Sequence, residues 1–84
     1  MSRVDFFAVP DRAELGQELR QAFRELGLDD VQETEPADGG ALLGVVFADG
    51  LEAAELEGHA EELRVALASL LTGGPSVTYK LVAG

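Results

Sequence analysis

Cysteine is absent from this 84-residue chain. No disulfide, thiolate metal site or thiol nucleophile can form, so stability must come from packing or association. Basic residues are few, 6 against 16 acids, and the formal net charge is −10. Such a balance repels nucleic acid, whose binding depends on neutralising phosphates, and it disfavours anionic membrane surfaces. It favours solubility and attraction to basic protein partners. Long apolar runs are also missing. The longest, Ala41 to Ala48, includes Gly44 and falls far short of the ~20 residues of a membrane helix. The first residues, Met1-Ser2-Arg3-Val4-Asp5, lack the apolar region of a secretory signal. Together with the missing cysteines, this leads to the expectation of a cytoplasmic protein.

Apolar residues make up 46% of the chain, enough for a packed core but, at this length, for only one domain. Val4 to Val9 reads as a strand of aromatic and β-branched residues stopped by Pro10. Asp11 is placed to cap a helix, with Glu14 three residues on, as in a capping box. Leu15, Leu19, Ala22, Phe23 and Leu26 then share one helical face, and Gly27 fits the left-handed position that ends the helix, with Leu28 folding back. Val31 to Glu35 is a charged strand suited to a sheet edge, and Pro36 to Gly40 is a turn cluster. Ala41 to Ala48 is apolar on both parities, as a central strand is. Asp49-Gly50-Leu51-Glu52 repeats the acid cap of the first helix. The second helix carries a stripe of Ala53, Leu56, Ala60, Leu63, Leu67, Leu70 and Leu71 and ends at Gly73-Gly74-Pro75. Val77 to Val82 alternates cleanly as a last strand.

The order β-α-β-β-α-β is that of the ferredoxin-like fold, an α+β class. Right-handed crossovers put the first and third strands at the centre of a four-stranded antiparallel sheet of order 4-1-3-2, with both helices on one face. Val4, Phe6 and Ala8, with Val77, Tyr79 and Leu81, are expected to point toward the helices. The other face then carries Asp5, Phe7, Val9, Thr78, Lys80 and Val82, with one parity of the third strand. A sheet face open to water needs less apolar area than this. The expectation is therefore a covered face or a paired edge, with Phe7, Val9, Val45, Lys80 and Val82 as the contact residues of a homodimer.

Candidate chemistry is sparse. His59 is the single histidine and lies at the border of the second helix's stripe, with no nucleophile beside it and no second ligand for zinc. Asp29, Asp30, Glu33, Glu35 and Asp38 lack the spacing of an EF-hand and read as a solvated edge. Arg20 and Arg24 are one helical turn apart and could clamp a carboxylate or phosphate. Gly16 and Gly58 each cost their helix about 1 kcal/mol relative to alanine, which raises the question of a close approach at each. No phosphate-cradling glycine motif occurs, no metal set or cofactor is indicated, and the serines lack a positioned base.

Val9-Pro10-Asp11-Arg12-Ala13-Glu14-Leu15, running into an amphipathic helix, resembles the opening of ACT domains, ferredoxin-like regulatory modules that bind amino acids. That resemblance implies a metabolite site at the helix start, with Asp11 and Arg12 at it. Leu26 to Val31 and Leu70 to Val77 are similar to stretches of the small structural subunit of the purine-pathway amidotransferase. These motifs are short and assign no family. The leading expectation is a non-enzymatic interaction or regulatory module that self-associates. The alternatives are a metabolite-binding domain using Asp11, Arg12, Arg20 and Arg24, and a small dimeric α+β-barrel enzyme drawing on Asp5, Thr78 and Lys80.

Overall fold

The computed structural model describes residues 2–9, 12–47 and 50–82. Its elements are β1 (Ser2–Val9), α1 (Ala13–Glu25), β2 (Gln32–Thr34), β3 (Leu43–Phe47), α2 (Ala53–Leu70) and β4 (Ser76–Val82). The four strands form one antiparallel sheet of order β2-β3-β1-β4, the expected order read from the other edge. With its two helices, this is an α+β arrangement consistent with a ferredoxin-like fold.

The period of two along β1 decides the layers. Val4 pairs with Val45 on one side and Leu81 on the other, and Phe6 pairs with Leu43 and Tyr79. Directly paired residues point to the same face, so these six form one apolar surface. Leu15, Leu19, Ala22 and Phe23 of α1, and Leu56, Ala60, Leu63 and Leu67 of α2, join it in a single core. Phe6 and Tyr79 meet as a tilted aromatic pair with ring centroids 6.3 Å apart.

The helix ends differ from the sequence expectation in register. The cap of α1 is Arg12, which makes no side-chain cap bond, and Asp11 lies outside the described residues. At α2 the capping box runs from Glu52 to Glu55, three residues later than expected, and Asp49 also lies outside the described residues. Gly27 takes the left-handed conformation at the end of α1, with φ of 61°. The buried stripe of α2 is narrower than the sequence implies: Leu70 is 46% exposed, and the chain turns inward only at Leu71.

The parity of β3 is set by a bulge. The N–H of Leu42 donates to the carbonyl of Phe6 at 2.9 Å, although the register partner of Phe6 is Leu43. Two consecutive residues thus face one, and both leucines turn toward the helices. A Cβ at Gly16 of α1 would stand 3.9 Å from Leu42 Cδ2, an ordinary contact rather than a close approach. Beyond the bulge, Leu43, Val45 and Phe47 face the helices, and Gly44 and Val46 face away. Val45 was expected on the open face and is instead 0% exposed in the core, opposite Val4. Val46 occupies the position proposed for it.

Candidate functional site

The sheet surface away from the helices carries Arg3, Asp5, Phe7 and Val9 from β1, Gly44 and Val46 from β3, and Thr78, Lys80 and Val82 from β4. Half of it is already covered. The segment after β2 turns across the sheet as a strap and is held there by side chains of β1. Arg3 Nη2 donates to the carbonyl of Glu35 at 2.7 Å. The Asp5 carboxylate accepts the N–H of Ala37 at 3.2 Å and of Asp38 at 2.8 Å. Lys80 Nζ lies 3.8 Å from Asp38 Oδ2, and Gly40 closes toward Phe7. The strap passes so near the sheet that a Cβ at Gly44 would stand 2.9 Å from the Glu35 carbonyl oxygen. Asp5, only 1% exposed, is therefore a strap anchor and not a free polar group. Its oxygens are engaged by backbone N–H groups, which removes the one carboxylate that the enzyme alternative would use.

The uncovered half adjoins the β4 edge. Val9 is 63% exposed, Lys80 is exposed, and Val46 and Val82 are half-buried. Phe7 is half-buried beside the strap. Four of the five expected contact residues thus share this face, but its apolar area is smaller than the sequence implied. The edge itself is open. Because the Phe6 carbonyl points to β3, the backbone groups of Asp5 and Phe7 point to β4 and bond Lys80 and Thr78. By alternation, the N–H and C=O groups of Val77, Tyr79 and Leu81 point outward. Arg64 Nη1 reaches the Val77 carbonyl at 3.3 Å from α2, while Arg64 is also paired with Glu61 at 2.6 Å. The hydrogen bond from Arg64 holds the Glu61 carboxyl below its ordinary range and raises the guanidinium in turn. Burial, and then the charges of Glu57 and Glu61, push the Tyr79 phenol upward.

The arginines expected to bind a metabolite do not converge. Arg12 Nη1 lies 4.0 Å from Glu14, and Arg24 Nε lies 3.4 Å from Glu33 on β2. Arg20 lines a shallow cleft of about 240 Å³ whose walls include Glu33, Glu35 and Leu42. Arg12 and Arg24 thus each lie beside a carboxylate, and Arg20 shares its cleft with the acids Glu33 and Glu35. Among the described residues, no group of three His, Asp or Glu is arranged to hold a metal ion, and no helix is long and apolar enough to cross a membrane.

A larger depression, of about 430 Å³, lies at the other end of the molecule, between the end of α1 and the middle of α2. Leu26, Leu28, Val31, Phe47, Leu51 and Leu63 make it apolar. Asp29, Asp30, His59 and Glu62 also line it and are exposed. His59, placed by its spacing at the border of the α2 stripe, is exposed and stacks on Phe47, with ring centroids 6.3 Å apart at 26°. Sequence reasoning missed this groove because its walls come from four separate segments. The single hint was Leu28, read as the hydrophobic contact after Gly27. No family model, curated protein or solved structure matches the chain.

Proposed function

We propose that this protein is a non-enzymatic interaction module that self-associates by pairing its β4 edge with that of a second copy, extending the sheet across a two-fold axis. The observation that carries this reading is the lightly defended β4 edge. Ser76–Val82 has seven residues, no acid and no proline, in a chain with 16 acids. Exposed edges are ordinarily blunted by charges, prolines or bulges. Here the described defences are Lys80, whose ammonium leans toward Asp38, and Arg64 over the Val77 carbonyl. The opposite edge, β2, is only three residues long and bears Glu33. Antiparallel pairing of two β4 strands is isologous and closes at two copies. Val9, Lys80 and Val82 then lie beside the seam, where neighbouring apolar side chains add burial to the backbone hydrogen bonds. The strap narrows the earlier expectation: the edge and its flank carry the association, and the covered half of the sheet face does not.

Light scattering across a concentration series tests this. A dimer with micromolar or tighter affinity, about −8 kcal/mol, is expected. Leu81→Pro removes an outward N–H, and Val82→Glu places a carboxylate at the seam; each should shift the protein to monomer with its circular dichroism retained. A native chain that stays monomeric at every concentration overturns the proposal.

A further inference from the structure

The groove between α1 and α2 is separate from the β4 edge, and the proposed self-association leaves it open. We infer that it docks a peptide segment of a basic partner protein, one that inserts an apolar side chain between lysines or arginines. Three features carry this. The floor is apolar, built from Leu26, Val31, Leu51 and Leu63 beneath the half-buried Phe47. Leu28, 45% exposed, stands at the side, held out by the left-handed turn at Gly27. Among the described residues, the polar side chains of the lining are three carboxylates and one imidazole: Asp29 and Asp30 from the loop after α1, and His59 and Glu62 from α2. Among the described residues, no lysine or arginine lines the depression.

Charge complementarity sets the class of occupant. A carboxylate or phosphate ligand would meet like charge on both walls and would find no guanidinium or ammonium to pair with. A neutral apolar ligand would leave the charged lining unused. A leucine or phenylalanine flanked by basic residues satisfies both parts: the side chain leaves water for the floor, and the cations meet the two acidic walls. The net charge of −10 adds long-range attraction for such a segment. A volume of about 430 Å³ accommodates one or two large side chains, and the depression opens to solvent, so the flanking backbone can stay outside it. This peptide mode combines an apolar anchor with a charged rim.

The test uses three synthetic peptides titrated into the full-length native chain and followed by amide chemical shifts. The first sets Leu-Phe among lysines, the second replaces Leu-Phe by Ser-Ser, and the third replaces the lysines by glutamates. Saturable shifts centred on Leu28, Asp29, Asp30, His59 and Glu62 are expected with the first peptide alone. The variant Asp29→Asn/Asp30→Asn/Glu62→Gln should weaken that binding about tenfold or more, as should higher salt. Ala66→Phe, which fills the groove from α2 while keeping every charge, should weaken it too. Equal binding of the serine peptide would show mere charge attraction and overturn the inference, and so would shifts centred on β4. Octylamine serves as a small-molecule arm; saturable binding of octylamine at the groove without binding of the first peptide would overturn the peptide assignment. Dimer formation through β4 is read separately, so either claim can fail alone.

Discussion

At the scale of single residues, Asp5 shows how one carboxylate can organise a surface. The alternation of β1 puts it on the face away from the helices, where it would ordinarily be solvated. Instead it accepts two backbone N–H groups and is buried beneath the strap. Removing it strands both donors, so Asp5→Ala should cost about 2–4 kcal/mol in denaturant unfolding. Asp38→Ala, which loses an exposed bond to the Gly40 N–H and a loose pairing with Lys80, should cost less than about 1 kcal/mol. A similar loss for both would mean that Asp5 does not anchor the strap. The glycines separate in the same way. Gly58 lies within α2 with nothing near its absent side chain, so Gly58→Ala should raise stability by about 1 kcal/mol. At Gly44 a Cβ would meet two backbone carbonyl oxygens at 2.8 and 2.9 Å, and Gly44→Ala should destabilise by about 1–3 kcal/mol. Thermal unfolding of the two variants should therefore move in opposite directions.

At the scale of elements, periodicity revealed most of what it can reveal. The inward set of β1, Val4, Phe6 and Ala8, and the stripe of α1 were legible because each follows one period without interruption. β3 was not, because it is apolar on both parities and its phase is set by a hydrogen bond from Leu42 that no pattern announces. The cap of α2 slipped by three residues because Asp49, Glu52 and Glu55 repeat the same spacing, and the chain uses the second pair. The strap was unreadable for another reason: its anchors are more than 30 residues away from it in sequence. β4 also makes a prediction. Tyr79 is the single tyrosine, and burial favours its neutral form. Its folded pKa is raised, so the unfolded chain ionises first. Its contribution to stability is complete below about pH 10 and is lost as pH rises through the folded value. Phenolate absorbance should accordingly show a native midpoint above that of the urea-unfolded chain. Coincident midpoints would place the ring in water.

At the scale of the whole molecule, charge and hydrogen bonding divide the surface into regions. Acids dominate the helices and loops, while the β4 edge carries none. The candidate site was legible in part. Phe7, Val9, Lys80 and Val82 do share one face, because period two in β1 and β4 is unambiguous. Val45 does not, because the bulge moves it into the core. The surroundings of Arg20 and Arg24 were not legible, because helical spacing says which face a residue occupies but not that Glu33 of β2 lies beside Arg24. What remains is a sheet with one half-covered face and one edge guarded only by Lys80 and Arg64, the feature on which the proposed self-association rests.

Amide hydrogen exchange at Tyr79 and Leu81 reads that edge directly, since their N–H groups point away from β1. Pairing with another β4 predicts protection that rises with protein concentration at these two amides. Exchange at the rate of an unprotected amide, unchanged from dilute to concentrated solution, would contradict it.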